Sequence, residues 1–355
     1  MSFSGRSYPT LIGSFPGCDH GVALSLIFEF TPEIPCWPQL PAQPGEGMLV
    51  QFSRNLPGFD PQDLILNPEK SGFEEEQLRF YEEYLAVKEG RLPLEKSLFA
   101  LEESDAPGLY LLTRELPRRT PRPYALKGQI TGPFTLATGI KTPDGKAIFY
   151  EESLRDMATK LIALKAVFQV HLLKEHDLPV IIFLDEPALA GFGSSSFVGV
   201  SKDEVVTVLR EVVEEIKACG GIPGVHVCAN TEWDLLISSG FEILNFDAFD
   251  YLDRFLLYEK EIATFLSSGG NVAWGIVPTL KAEALEGAQA EILCEKLKEG
   301  FERLEKQGLS AEKILTASLF TPSCGMGTLR EDLVPKALSL LREVHEIFAG
   351  SGHEF

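Results

Sequence analysis

Nowhere among the 355 residues do about 18 apolar residues follow one another, and the opening Met1-Ser-Phe-Ser-Gly-Arg-Ser7 has no basic region leading into an apolar run. Neither a membrane-spanning helix nor a secretory leader is expected, and the reading places the chain in the cytoplasm. Basic residues are also scarce. Against 52 Asp and Glu stand 32 Lys and Arg, a formal charge of −20, which repels phosphate backbones and anionic headgroups. No nucleic acid and no membrane is expected as a partner. The six cysteines (Cys18, Cys36, Cys219, Cys228, Cys294, Cys324) are too few and too scattered for a disulfide framework, so reduced thiols are expected. The turn after the first apolar run, Gly13-Ser-Phe-Pro-Gly17, lacks the spacing of a dinucleotide-binding loop.

What is present suits a packed enzyme-sized chain: 45% of the residues are hydrophobic, and no internal repeat or low-complexity linker interrupts them. Short apolar runs alternate with longer amphipathic stretches, the rhythm of parallel β/α units. The runs at 10–16, 47–52, 126–132, 180–186, 223–228, 243–249, 271–277 and 314–321 are expected as strands. Stretches at 148–176, 202–219, 232–239, 258–268, 288–307 and 333–348 carry apolar residues at three-to-four spacing and are expected as helices. Eight strands with crossover helices fit a (β/α)8 TIM barrel, an α/β fold, forming a single domain over 1–355. A Pro-rich segment with five prolines over 32–44, followed by an acidic helical pattern at 73–91, reads as an early insertion looping over one barrel end.

The most informative segment is Pro223-Gly-Val-His-Val-Cys-Ala-Asn230. Alternate residues of a strand share a side, so His226 and Cys228 present a nitrogen and a sulfur toward one point, a pairing suited to a borderline-soft cation such as zinc. Alone the pair reads more readily as core packing. Cys324, in Thr321-Pro-Ser-Cys-Gly-Met-Gly327, follows another expected strand and so shares the carboxyl-end face on which barrel sites are assembled. Asp247 ends the strand after His226 and Cys228. It either completes or orients the metal site or caps the next helix. In Val180-Ile-Ile-Phe-Leu-Asp-Glu-Pro187 an apolar strand runs into two carboxylates, one of which must face the barrel mouth and the other away. Ile12-Gly-Ser-Phe-Pro16 and Lys127-Gly-Gln-Ile-Thr-Gly-Pro133 end their strands in small residues that let backbone N–H groups approach an anion, though each also reads as an ordinary turn.

Taken in order, Ile12-Gly-Ser-Phe-Pro16, Lys127-Gly-Gln-Ile-Thr-Gly-Pro133, Asp185-Glu-Pro-Ala-Leu189, His226-Val-Cys228 and Pro322-Ser-Cys-Gly325 make the chain similar over nearly its whole length to one family. It resembles the catalytic barrel of cobalamin-independent methionine synthase, within the group that includes uroporphyrinogen decarboxylase and methylcobalamin:coenzyme M methyltransferases. The resemblance implies zinc held by His226, Cys228, Asp247 and Cys324, with aspartate standing where the family has glutamate. It implies that Ile12, Gly13, Ser14 and Asp185 bind the amino-acid end of homocysteine, with Asp185 the candidate catalytic carboxylate. The family's further glutamate after the second strand finds no match around Gln51-Phe-Ser-Arg54. The implied reaction is methyl transfer to a small thiol, most simply homocysteine to give methionine. The donor stays open between methyltetrahydrofolate and methylcobalamin or a corrinoid protein, since the family's folate-binding amino-terminal barrel has no counterpart here. Two other readings are a decarboxylase of the uroporphyrinogen type, which calls for arginines at the mouth, and a non-catalytic metal- or corrinoid-binding protein.

Overall fold

The computed structural model describes residues 3–350. Seven parallel strands form one curled sheet: β1 (Tyr8–Pro9), β2 (Leu126–Thr131), β3 (Val180–Asp185), β4 (Ile222–Val227), β5 (Ile243–Asp247), β6 (Asn271–Val277) and β7 (Ser318–Pro322), in the order β1-β7-β6-β5-β4-β3-β2. Helices alternate with them on the outside, among them Glu152–Lys174, Lys202–Ala218, Ala290–Glu305 and Val334–Gly350. This is the α/β barrel architecture the strand and helix rhythm leads one to expect.

The eighth stave is the departure. Residues 47–52 are no strand: Met48–Gln51 is a short helix with Gly47 at its N-cap. A run of three apolar residues carries too little periodicity to separate the two states. The gap between β1 and β2 is filled instead by the Pro-rich run. Cys36 bridges Lys127 in parallel, and Gln39 bridges Ser14. Lys127 donates its N–H to the Pro35 carbonyl at 3.0 Å, while Gln39 and the 13–15 segment exchange two bonds at 2.9 and 2.8 Å. Proline lacks an N–H but keeps its carbonyl, so such a run can serve as an accepting stave without forming a regular ladder. The expected looping insertion is thus part of the barrel wall. Two smaller corrections lie at strand ends. Regular pairing in the first strand covers Tyr8–Pro9, with Ser14 joined only by its bridge, and residues expected to open the last strand belong to the helix Ala311–Thr316.

Inside the barrel, Ile34, Ala125, Ile181, Phe183, Ile243, Ala273 and Leu319 form an apolar cluster separate from the main core between sheet and helices. They are drawn from the starts of the staves and plug that end. Gly224 makes room for this plug, since a Cβ there would lie 2.4 Å from the Phe183 ring. The period of two then carries polar side chains upward from the plug, through Gln129 and Asn245 to Thr131, Asp185, His226 and Thr321.

The two carboxylates that end β3 part as the strand geometry requires. Asp185 lines a cavity at the carboxyl ends of the strands, whereas Glu186 turns outward and accepts N–H bonds from Phe134 (2.9 Å) and Thr135 (2.7 Å) and a hydroxyl bond from Thr135 (2.6 Å). Glu186 thereby caps the helix Pro133–Gly139, satisfying amides that would otherwise be buried without partners. Gly132 is required for this approach because a Cβ on it would sit 2.1 Å from Glu186 Oε1. Gly132→Ala should therefore lower stability by roughly 2–3 kcal/mol. Gly47→Ala, where a Cβ meets nothing within 4 Å, should change it by less than about 0.5 kcal/mol. Urea unfolding midpoints of the two variants check the contrast.

Candidate metal and thiol site

The ligand atoms of His226, Cys228 and Cys324 lie within 4.8 Å of one another, the only such group of three among the described residues. His226 and Cys228 come from the end of β4, two residues apart and on one side of the strand. Cys324 comes from the loop after β7, and that loop is fastened twice. Thr279 accepts the Cys324 N–H (3.2 Å) and donates its hydroxyl to the Cys324 carbonyl (2.9 Å), while Gly327 donates its N–H to the Ser14 hydroxyl (3.3 Å). A Cβ on Gly325 would lie 2.0 Å from that hydroxyl, so only glycine lets the loop pass.

The His226 tautomer follows from its neighbour. Asn245 donates its amide N–H groups to the Ala273 carbonyl and the Thr321 hydroxyl, both at 2.8 Å, which turns its amide oxygen toward His226 Nδ1 at 2.5 Å. Nδ1 must then carry the proton, and Nε2 is a bare lone pair. It is buried and has no hydrogen-bond partner. Burial pushes the imidazole down to about 4, so it is neutral at physiological pH. The thiols interact directly: the Cys324 thiol donates to Cys228, bringing Cys228 down to about 7 and driving Cys324 upward, with burial adding to the latter.

These groups open onto a cavity of about 350 Å³ whose wall includes Ile12, Ser14, Gln39, Glu46, Thr131 and Asp185. Asp185 Oδ1 is buried without a partner, and burial raises this carboxyl to about 7 despite the nearby Lys127. Of the sequence candidates, Ile12, Ser14, Asp185, His226, Cys228 and Cys324 all reach this cavity. Gly13 does not line it but supports it: at φ 137, with a Cβ that would meet the Gln129 amide at 2.5 Å, no other residue fits.

Asp247 does not join the three converging ligands. Its Oδ1 accepts the Asp250 N–H at 2.9 Å and caps the helix Ala248–Phe255. Its charge still acts on Cys228. Sequence reasoning missed Glu46, which stands between two glycines with no periodic signal around it. Leu40 donates its N–H to one carboxylate oxygen (2.9 Å), and His20 Nε2 lies 2.8 Å from the other. Of the stretch searched for a further glutamate, Gln51 faces Gln39 (2.6 Å) and Arg54 pairs with Glu102 and Asp105, so neither takes that role.

No family model and no curated protein matches the chain. A solved structure of a B12-independent methionine synthase from Shewanella sp. W3-18-1, in complex with selenomethionine, is similar at 17% identity and a TM-score of 0.44. The similarity covers 66% of this chain and 66% of that one, just under two thirds of its length.

If the three side chains hold a metal such as zinc and the Asn245 amide sets the imidazole, Asn245→Leu should weaken metal binding about 10–100-fold, and Asn245→Asp, which still accepts from Nδ1, should restore most of it. Competition against a chelator of known affinity measures both.

Proposed function

We propose that this protein is a methyltransferase that moves a methyl group onto the sulfur of a small thiol, with zinc held by His226, Cys228 and Cys324. The observation that carries the reading is the convergence of a buried, unpartnered Nε2 with two interacting thiols at the wall of a cavity. One nitrogen and two sulfurs are the donor set of a catalytic zinc site that keeps its fourth position open. When bound, zinc supplies a Lewis acid beside which a thiol loses its proton near neutral pH.

The remaining chemistry belongs to the chain. No Lys or Arg lines the cavity among the described residues, and its two acidic side chains are Asp185 and Glu46. Asp185, with an unpartnered oxygen, suits an ammonium group, which favours an amino thiol such as homocysteine over a sulfonate-bearing one such as coenzyme M. The Ile12-Gly-Ser turn lies on the same wall and suits the acceptor's carboxylate, as the motif resemblance implies. A cavity of about 350 Å³ suits such a ligand and leaves no room for a folate or corrinoid beside it. The donor therefore reaches the thiol through the mouth, where Met48 and Leu280 stand 42% and 49% exposed. The methyl group's bond to N5 of the folate or to cobalt breaks as the carbon–sulfur bond forms; the electron pair stays with the donor, and the thiol proton passes through solvent to N5 or, with the corrinoid, remains in solvent. Holding the two reactants in line is the chain's main contribution to rate. A substrate bearing many carboxylates, such as a porphyrinogen, would meet carboxylates and no cation here.

Wild-type protein should carry close to one zinc per chain and methylate homocysteine from either methylcobalamin or methyltetrahydrofolate. Cys324→Ser should lose most of the metal and at least about a hundredfold in rate. Zinc analysis near zero in protein purified without chelators, or full activity in the variant, overturns the reading, and zinc binding without transfer from either donor leaves a binding protein.

The raised Asp185 carboxyl gives a pH prediction. An ammonium ligand favours the ionised form, so below about pH 7 binding must expel a proton. Methionine, which has no thiol to titrate, should accordingly bind more tightly as pH rises from 6 to 8 and then level off. Asp185→Asn should bind weakly with a flat profile. Calorimetric titration at several pH values checks this.

A further inference from the structure

Below the cavity, near the start of β2, lies a lysine that the reaction as described does not use. Lys127 is fully buried inside the barrel. Its Nζ donates to the Ile12 carbonyl at 2.8 Å and to Gln129 Oε1 at 3.3 Å, and sits 4.5 Å from the centre of the Phe183 ring. Among the described residues no carboxylate lies within ion-pair distance of it. The groups whose charge it feels are Asp185 and Cys36, and it acts in turn on His226. Burial alone pushes its own ammonium down.

A buried ammonium without a counter-ion is costly, and replacing it with an apolar side chain of the same length would ordinarily be tolerated. Its place suggests what offsets the cost. Held by Cys228 and Cys324 as thiolates, a zinc ion would be neutralised, and an acceptor binding there as a thiolate would add one net negative charge. That charge would sit in a cavity whose only carboxylate or ammonium-type side chains, Asp185 and Glu46, are acidic. We propose that Lys127 is the buried counter-charge of this centre, balancing the acceptor thiolate from beneath while its bond to the Ile12 carbonyl fixes the turn beside it. The inference rests on the zinc–thiol reading above. It makes Lys127 a positioning residue that acts through charge and touches no reacting atom.

Charge and scaffolding are separated by comparing two ligands that differ at sulfur. Homocysteine binds with a thiol that can ionise, whereas methionine has the same amino-acid end and a neutral thioether. In zinc-loaded Lys127→Met, homocysteine affinity should fall about tenfold more than methionine affinity, since the two ligands share whatever the lost cation changes at Asp185. Lys127→Gln keeps a donor for the Ile12 carbonyl and loses the charge, and it should show the same selective loss if the methionine variant folds poorly. Calorimetry on the zinc-loaded proteins gives both affinities, and circular dichroism confirms that each variant is folded. Equal losses for the two ligands, or no loss for either, overturn the counter-charge role and leave the zinc–thiol reading standing. Wild-type protein that binds no zinc removes both.

Discussion

The hydrogen bond between Asn245 and His226 is the contact on which the site depends. The amide reaches β6 at the Ala273 carbonyl and β7 at the Thr321 hydroxyl, and presents its one acceptor to an imidazole on β4. Four strands therefore have to agree on register before the amide can be satisfied, and once it is, the imidazole has a single orientation and a single tautomer. A buried amide with unmet groups would cost about 1–3 kcal/mol, which gives the barrel's polar middle a strong preference for one arrangement. The lone pair aimed at the two thiols is a by-product of that satisfaction.

Around this contact the barrel changes character along its axis. An apolar plug closes one end, amides and hydroxyls occupy the middle, and thiols and carboxylates line the open end. Each layer is reached from the one below by the two-residue period of the strands, so the sequence of side chains along β2, β3, β4 and β5 is also a map of depth. The low dielectric of the interior then sets the chemistry. Burial keeps the imidazole neutral and raises the Asp185 carboxyl to about 7, which leaves it responsive to whatever enters.

Much of this was legible without coordinates, for reasons that differ by residue. His226 and Cys228 stood out because a strand puts alternate residues on one side, and Cys324 because barrel sites gather at the strands' carboxyl ends. The division of labour between Asp185 and Glu186 followed from the same parity, although only the structure shows that Glu186 serves the helix Pro133–Gly139. The ambiguity at Asp247 was real, since a strand-end aspartate before a helix has the same signature whether it caps or coordinates. What sequence could not show was the eighth stave. Prolines argue against a strand because they break the donor half of a ladder, and nothing local reveals that a segment can close a barrel mainly by accepting, with Gln39 as its donor. Misplacing that stave also hid Glu46, because the search for a carboxylate followed the expected strand at 47–52 instead of the turn before it.

The close fit of Gly132 against Glu186 has a consequence for how such chains can diverge. The two positions act as one unit of inheritance: while the carboxylate caps the helix, any side chain at 132 is excluded, yet a lineage that lost the acid at 186 would be released to fill the space. Return would then be blocked, since restoring the acid would meet a side chain already in its place. Among relatives, glutamate at the second position should be found only with glycine at the first, whereas glycine can persist after the glutamate is lost.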